Sequence, residues 1–442
     1  MINLSFELTF PKFAIDPFLI ELSPGIHGIY GESGTGKSDF LSLIELKENS
    51  TKSSQFKLTN LSNHHYSSFR IRQNPDHQIV GRTLSGELTF NGECNGKSQD
   101  ELKEIVNDGM TKIPNHLDKT INPGFLSGGE KEILNIITSL NLDIDILLID
   151  DGLSFLSVKN KLLAIDWLRA WCQKGKVVIW ATSEYNDMQH CDVGWELQSS
   201  SFKRIIESQK FQYESISLPK GKMNLTMEKM DFSYSNSRPI FQKLSINIAS
   251  SRSLGLVGGN GSGKTTLAGL IFQDLEPTHG EIGLSIHGSR TQKIGYVDQF
   301  PEHIIQLNTP SELLNSLIEK SIFDHHQKIT FQNRLARFGI QWESIQHEKG
   351  INLPWATLRT LSVVLLSQCH YDALILDEPT FGLGWNQRVT LRSFLREMMT
   401  KMHFIILSHD RAFVQGICDT IIDMNSLTTT TINQSIEQKT KA

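Results

Sequence analysis

Two short segments of the chain combine glycines with a lysine and a hydroxyl residue at fixed spacing. GESGTGKS at 31–38 and GGNGSGKT at 258–265 both satisfy the pattern G-x-x-x-x-G-K-[S/T]. The glycines allow a tight turn whose backbone N–H groups surround a phosphate, while the lysine reaches the β- and γ-oxygens and the hydroxyl ligates Mg²⁺. We therefore predict two sites that bind a nucleoside triphosphate with Mg²⁺. The loop residues assigned to them are Gly31, Glu32, Ser33, Gly34, Thr35, Gly36, Lys37 and Ser38, and Gly258, Gly259, Asn260, Gly261, Ser262, Gly263, Lys264, Thr265 and Thr266.

A second source of chemistry is a pair of acidic residues at the end of an apolar run. ALILDEPT at 373–380 reads as a buried strand that delivers Asp377 and Glu378 to the sheet edge where ligands bind in α/β domains. We expect Asp377 to hold hydrated Mg²⁺. Glu378 would act as general base on the water that attacks the γ-phosphate, a role worth typically about 10² to 10⁴ in rate.

These elements belong to an internal repeat. Lys37 and Lys264 are 227 positions apart, and the same offset separates Asp150, at the end of the run ILLID, from Asp377. Each half runs through an apolar strand, a glycine-rich turn, a helix pattern and a later apolar strand that ends in Asp. This order predicts an α/β fold of two tandem domains, each with a mostly parallel sheet.

The length of 442 residues exceeds what one hydrophobic core usually spans, which agrees with two domains. We place the first domain at 1–197, a polar linker at 198–222 and the second domain at 223–425. The tail at 426–442 is rich in Thr, Gln and Lys and poor in apolar residues, so we expect it to be disordered.

Composition argues against several other classes of protein. Lys and Arg number 43 against 48 for Asp and Glu, a net charge of −5, which disfavours a nucleic-acid partner. The five cysteines form no CxxC pair, so a reducing cytoplasm fits better than a disulfide framework or a zinc ribbon. The N-terminal sequence is too charged for a signal peptide, and no apolar run approaches the ~20 residues that span a bilayer.

Further motifs indicate a family. LSGGE at 126–130, a glutamine after the second strand of each half, and Ser-His-Asp at 408–410 accompany the phosphate loops. Together they resemble the ATP-binding cassette (ABC) ATPases. The resemblance implies that each half has a parallel core, an antiparallel β part and a helical subdomain. It also implies that the halves pair head to tail within the chain, each ATP lying between the phosphate loop of one half and the LSGG segment of the other.

The resemblance also assigns roles to individual residues. Lys264, Gln299, Glu378 and His409 would be catalytic, and Tyr234 would stack on adenine, an interaction worth ~1 to 3 kcal/mol. Additional ATP contacts would come from Ser127, Gly128 and Gly129. The Mg²⁺ residues would be Thr265, Gln299 and Asp377 for one ATP and Ser38, Gln73 and Asp150 for the other, with both aspartates acting through water.

The two sites are unequal. At the 227 offset LPWAT (353–357) stands opposite LSGGE, Asp151 opposite Glu378, and Ser183 opposite His409. In the family the LSGG segment is called the signature, so LPWAT is a degenerate signature. If ATP sites are shared as in the family, the first phosphate loop faces LPWAT, and all three replacements fall in one site. We therefore expect two bound nucleotides and hydrolysis at essentially one site. The resemblance also predicts an aspartate in the D-loop, a short segment that follows the acidic end of the strand. Ser157 and Gly384 stand at this position in the two halves.

The segment RQNPDHQIVGRTLSGEL (72–88) resembles the ATPase subunits of energy-coupling factor importers and of their cobalt-transport relatives. This implies a motor for uptake of a vitamin or metal ion, cytoplasmic and peripheral on the inner face of the cell membrane. An integral membrane subunit would bind near 73–80 and 299–305.

Two other functions stay open. Soluble tandem cassette proteins that act on ribosomes typically have two intact signatures and a long charged linker, whereas this chain has one intact signature and a short linker. A tandem ATPase of a sugar importer also pairs one good site with one weak site, and the Q-N-P-D-x-Q string argues only modestly against it.

Overall fold

The chain forms two compact units, the first unit Met1–Lys210 and the second unit Phe211–Ala442. A computed structural model describes residues 4–11, 16–46, 56–60, 62, 65–114, 117–198, 200–206, 211–214, 217–234, 239–259, 261–288, 292–300, 305 and 308–431. In this part of the chain no helix combines the length and the apolar character needed to cross a bilayer.

The first unit consists of two sheets and five α-helices in its described residues. The strands are β1 Leu4–Thr9, β2 Phe18–Leu22, β3 Gly25–Tyr30, β4 Lys57–Thr59, β5 Ser68–Ile71, β6 Ile146–Asp150, β7 Val177–Thr182, β8 Val193–Gln198 and β9 Ser201–Arg204. The helices are α1 Lys37–Leu46, α2 Leu84–Cys94, α3 Gln99–Lys112, α4 Gly128–Leu140 and α5 Val158–Cys172. A six-stranded sheet of order β5-β6-β7-β3-β8-β9 is parallel except at β9, and β2-β1-β4 form a small antiparallel sheet.

The second unit repeats this plan. Its strands are β10 Met223–Phe232, β11 Phe241–Ser251, β12 Ser253–Val257, β13 His279–Ile286, β14 Ile294–Val297, β15 Ala373–Asp377, β16 His403–Ser408, β17 Thr420–Asp423 and β18 Thr428–Thr431. Its helices are α6 Lys264–Phe272, α7 Pro310–Glu319, α8 Lys328–Ala336, α9 Trp342–Ile345, α10 Trp355–Leu366, α11 Trp385–Met398 and α12 Arg411–Gln415. The main sheet has the order β14-β15-β16-β12-β17-β18, and β11-β10-β13 are antiparallel.

The central strands read as unbroken apolar runs because both faces of the main sheet are covered. Successive side chains of a strand point to opposite faces. Accordingly Leu374 and Leu376 of β15 pack in one hydrophobic core with the helical part of the second unit. Ala373 and Ile375 pack in another core with the antiparallel sheet and α6. The prediction of two tandem α/β domains is confirmed.

The unit boundary falls inside the stretch 198–222 that the sequence assigns to the linker. β9 pairs with β8 as the antiparallel edge of the first sheet, so 201–204 belong to the first unit. Edge strands tolerate polar residues because one side meets water, and this explains the linker-like composition. The expected disorder from 426 onward is wrong for β18, whose four threonines pair with β17. Residues 432–442 lie outside the described residues.

Candidate nucleotide sites

The two phosphate loops have the same backbone conformation. Gly34 and Gly36 have φ of +85° and +91°, and Gly261 and Gly263 have φ of +73° and +89°. These angles lie in the left-handed region that only glycine adopts without strain, so the spacing of the motif follows from the turn. Each loop joins a strand of the main sheet to the N-terminus of a helix, α1 or α6.

The motif lysines hold their loops together from inside. Lys37 Nζ donates to the backbone oxygens of Gly31 at 2.7 Å and Glu32 at 3.2 Å. Lys264 Nζ donates to the Gly258 oxygen at 2.9 Å, the equivalent contact in the second unit. Both ammonium groups thus lie within the turn where a bound phosphate would sit.

Two hydroxyl residues assigned to the phosphate sites make further contacts. Thr35 Oγ1 donates to the Glu32 oxygen at 2.8 Å. Thr266 Oγ1 lies 3.3 Å from the hydroxyl of Tyr234, which connects the predicted adenine-stacking residue to α6. The Tyr234 ring packs edge-on against Phe232 and stays 46% exposed, as stacking on a base requires. The predicted residue Asn260 lies outside the described residues.

The second unit assembles oxygen ligands suited to Mg²⁺ at the end of β15. Asp377 Oδ2 accepts hydrogen bonds from Thr265 Oγ1 at 3.1 Å and from the Tyr296 hydroxyl at 3.2 Å. Burial and the neighbouring Glu378 charge raise the pKa of Asp377 to about 7. A hydroxyl and a carboxylate are oxygen ligands that fit a hard divalent ion, so Thr265 and Asp377 would hold Mg²⁺. The predicted Gln299 follows β14, and its backbone oxygen accepts a hydrogen bond from Arg359.

The buried Glu378 pairs with the imidazole of His409, whose side chain is 44% exposed. His409 Nδ1 donates to Glu378 Oε2 at 2.9 Å, and the His409 backbone N–H donates to Oε1 at 3.1 Å. Ser408 Oγ adds a hydrogen bond at 3.1 Å, and Lys264 Nζ lies 3.7 Å from Oε1. Burial alone would raise the pKa of Glu378, but His409 and Lys264 lower it to about 2. The carboxylate is therefore ionised, and in this arrangement its oxygens are already engaged.

The first unit has a reduced version of this pair. Asp151 Oδ1 accepts the backbone N–H of Ser183 at 2.9 Å, the same contact that His409 makes to Glu378. The φ angles of Asp151 and Glu378, 50° and 47°, are also equivalent. Burial raises the pKa of Asp151, an effect that Lys37 opposes. The 227 offset thus aligns residues with matching backbone positions, but Ser183 supplies no imidazole.

The Mg²⁺ residues predicted in the first unit have a different neighbour. Ser38 Oγ donates to Asp150 Oδ1 at 3.1 Å, as Thr265 does to Asp377. The other oxygen, Oδ2, forms a buried ion pair with Arg70 Nη2. Gln73, also predicted as a metal residue, is partly buried just after β5. Because the carboxylate already has a cationic partner, this set does not fit a divalent ion as the second unit does.

The two signature segments, LSGGE and LPWAT, begin their helices differently. Ser127 caps α4 in a capping box with Glu130, and a Cβ placed on Gly128 would lie 3.2 Å from the Phe155 ring. Gly129 is buried in the first turn of α4. In the second unit Pro354 precedes α10 without a side-chain cap, and the Trp355 ring lies against Phe300 and Phe381. LPWAT therefore starts a helix at the equivalent place but presents a bulky side chain there.

Both positions expected to carry the D-loop aspartate begin a helix. Ser157 caps α5 by accepting the N–H of Asn160 at 3.3 Å. Gly384 stands at the N-cap of α11. The substitutions therefore keep a helix start while removing the acidic side chain.

Sequence reasoning missed Arg359, a fully buried side chain of α10. Its guanidinium donates to the backbone oxygens of Asp377, Glu378 and Gln299, and it lies over the Phe381 ring. It thereby joins the signature helix of the second unit to the carboxylate strand and the glutamine loop. The signal was that Arg359 is the single charged residue in the run TLRTLSVVLL, since a buried charge needs partners.

Sequence reasoning also missed an aromatic cluster formed by the chain that enters the second unit. The rings of Phe211 and Tyr213 stack on Trp385 at 4.9 and 4.5 Å between centroids. The Tyr213 hydroxyl donates to Asp410 Oδ2 at 3.3 Å, next to His409. Arg392 lies 4.4 Å over the Tyr213 ring. The segment 211–213 thus packs between the start of α11 and the turn at His409 and Asp410.

Comparison with known proteins agrees with this geometry. Residues 20–154 and 241–381 match the family model described as "ABC transporter". A Bacillus anthracis protein named "Putative ABC transporter ATP-binding protein" is 24% identical over 77% of this chain and 71% of its own length. A Clostridium perfringens protein of the same description is 24% identical over 86% of this chain and 80% of its own. The fold resembles that of "Model of ribosome-bound archaeal Pelota and ABCE1" with a TM-score of 0.65, at 18% identity over 91% of this chain and 72% of that one.

Proposed function

Since the chain belongs to the ABC transporter family, whose cassettes bind and hydrolyse ATP, we propose that it is the ATP-hydrolysing motor subunit of an importer. We assign it to the energy-coupling factor type, which takes up a vitamin or a metal ion. An integral membrane subunit would hold it at the inner face of the cell membrane. The observation that carries the motor assignment is the Glu378–His409 pair beside an intact phosphate loop.

Hydrolysis is proposed at the second phosphate loop. Lys264 and the loop N–H groups would bind the β- and γ-oxygens. Thr265 and Asp377 would hold Mg²⁺, which would neutralise charge on the phosphates. Glu378 accepts a proton from the water that attacks the γ-phosphorus, and the bond to the ADP oxygen breaks. Because Glu378 is engaged by His409 in the described arrangement, the water must replace part of that contact.

The first phosphate loop is proposed to bind nucleotide without hydrolysing it. Asp151 lacks the reach of a glutamate, and Ser183 supplies no imidazole. In line with the family resemblance, we assign Ser127, Gly128 and Gly129 to the hydrolysing site. The LPWAT segment, with Trp355 in place of a signature glycine, would serve the other.

The glutamine loop of the first unit is mechanically connected to its signature helix, which supports a motor role. The turn Pro75–His77 follows Gln73, and Asp76 forms an ion pair with Lys131 of α4 at 2.7 Å. Asn135 of α4 donates to the Pro75 oxygen at 2.9 Å. A displacement of this turn by a membrane partner would therefore move the signature helix with it.

Exposed apolar side chains in the same region support the membrane partner. Val80 is 60% exposed and Phe125, just before the signature, is 87% exposed. The Val80 N–H donates to Glu87 of α2 at 2.9 Å, and the N–H of Leu84, the first residue of α2, donates to the Ile121 oxygen at 2.9 Å, four residues before Phe125. Apolar side chains of this kind suit a protein–protein contact. Of the second predicted contact, 299–305, residues 301–304 lie outside the described residues.

Affinity purification from the native cell tests the importer proposal, with Val80→Glu as the interface variant. Leu19→Glu is the matched control, since Leu19 is 61% exposed on β2. An integral membrane protein should co-purify with the wild type and the Leu19 variant and be lost from the Val80 variant. Recovery of ribosomes without a membrane protein would instead establish the alternative, a soluble tandem protein acting on ribosomes. A sugar-importer partner would refute the energy-coupling factor assignment alone.

A further inference from the structure

In the first unit a guanidinium group forms an ion pair with Asp150, the carboxylate predicted to hold Mg²⁺. Arg70 Nη2 pairs with Asp150 Oδ2, while Arg70 Nη1 donates to Ser42 Oγ at 2.7 Å and lies 3.6 Å from Glu45 Oε2. The Arg70 side chain is only 8% exposed. With Ser38 Oγ on Oδ1, both oxygens of Asp150 are engaged by protein groups.

The second unit has a neutral residue at the equivalent place. Tyr296 stands 226 positions after Arg70, the same offset as between the two glutamines that follow these strands. Its hydroxyl donates to Asp377 Oδ2 at 3.2 Å. Among the described residues no lysine or arginine forms an ion pair with the Asp377 carboxylate. One unit therefore has a cation where the other has a phenol.

The charge difference has a direct consequence for metal binding. A divalent ion held through this carboxylate would lie close to the fixed Arg70 charge, and in a buried, poorly screened site the repulsion between them is large. Arg70 is anchored by three partners and cannot retreat into solvent. The positive charge that Mg²⁺ would supply near the phosphates is already present in the protein.

We propose that the first phosphate loop binds its nucleoside triphosphate without a divalent cation, with Arg70 in the electrostatic place of Mg²⁺. The intact loop and Lys37 provide the phosphate contacts. Binding without Mg²⁺ also agrees with Ser183 standing where the second unit has His409, since hydrolysis needs Mg²⁺ to neutralise the γ-phosphate. The inference concerns nucleotide binding alone and does not depend on the transport partner.

The test uses the full-length chain with Lys264→Ala, which weakens the second phosphate loop. Binding of fluorescent trinitrophenyl-ATP is measured with Mg²⁺ and with EDTA. The dissociation constant should change by less than about threefold, whereas adding Arg70→Tyr should make Mg²⁺ tighten binding by about tenfold or more. A tenfold Mg²⁺ requirement before the Arg70 change, or no binding by the Lys264 variant, would overturn the proposal.

A reciprocal pair of variants keeps the test valid if Arg70→Tyr fails to fold. Lys37→Ala should bind nucleotide in a Mg²⁺-dependent manner, and adding Tyr296→Arg should remove that dependence. Mn²⁺ spin resonance on the wild type with a non-hydrolysable ATP analogue gives an independent readout. One bound Mn²⁺ per chain with two bound nucleotides is expected, and two bound Mn²⁺ would contradict the proposal.

Discussion

Glu378 Oε2 lies 2.9 Å from His409 Nδ1, whereas the carboxylate of the equivalent Asp151 accepts the backbone N–H of Ser183 at 2.9 Å. The backbone frame is the same in both units, because Glu378 and Asp151 share a left-handed φ and each N–H pairs with the neighbouring strand. The two units thus differ in side-chain chemistry more than in geometry. This difference is the basis for expecting unequal catalysis.

Glu378→Gln should lower kcat by about 10² or more while leaving ATP binding nearly intact, because it removes the proton acceptor and keeps Asp377. The matched substitution Asp151→Asn should change kcat by less than about threefold. Steady-state phosphate release and equilibrium nucleotide binding measure the two effects. Equal losses of kcat in the two variants would show that the assigned roles are wrong.

Lys264→Ala should abolish most ATP turnover, whereas Lys37→Ala should leave a substantial fraction. The reason is that only Lys264 belongs to the unit with the Glu378–His409 pair. Each variant keeps the motif lysine of its other unit, so each variant is the control for the other. If Lys37→Ala loses as much turnover as Lys264→Ala, the proposed asymmetry between the sites fails.

Trp385→Ala should loosen the segment that enters the second unit, because it removes the ring on which Phe211 and Tyr213 stack. We expect a loss of about 1–2 kcal/mol of stability and faster hydrogen–deuterium exchange in 211–214 and α12. Tyr213→Phe, which removes only the hydroxyl bond to Asp410, should lose about 0.5–1.5 kcal/mol.

The control for this prediction is Trp195→Ala, which removes a comparable ring stacked on Phe202 in the first unit. Its exchange should increase around β8 and β9 and stay unchanged in α12. Faster exchange of α12 in the Trp195 variant, or unchanged exchange in the Trp385 variant, would rule out a local anchoring role for the aromatic cluster.

His403 makes the stability of the second unit depend on pH. Burial and then the Arg252 charge lower the pKa of His403 from 6.5 to about 4 in the folded chain. Between these values the unfolded chain binds more protons, so stability is lost as pH falls from about 6.5 through about 4. His403→Gln can still accept from the Lys222 N–H and donate to the Asp372 oxygen. Its melting temperature should therefore fall less than that of the wild type between pH 7 and pH 5, and parallel curves would refute the assignment.

The sequence alone determined the repeat, the fold class and the composition of both phosphate loops. It could do so because these features depend on local rules. A glycine at φ near +90°, as at Gly36 and Gly263, is required by the turn itself, and an apolar run of five residues fits a strand that is buried on both faces of a sheet. The 227 offset then paired Asp151 with Glu378 and Ser183 with His409, and each pair has equivalent backbone contacts in its unit.

Only the tertiary structure decided which partners the buried charges have. The local sequence pattern does not predict that Arg70 pairs with Asp150 or that Arg359 donates to three backbone oxygens. It also does not predict that Tyr213 contacts Asp410, 197 positions away. Such contacts link segments brought together by the sheet order, and a buried charge can be satisfied by any of several neighbours. The sequence therefore specified that both units are built to bind phosphate. The packing of Arg70 against Asp150 in the first unit, and of Tyr296 against Asp377 in the second, decided that their electrostatic environments differ.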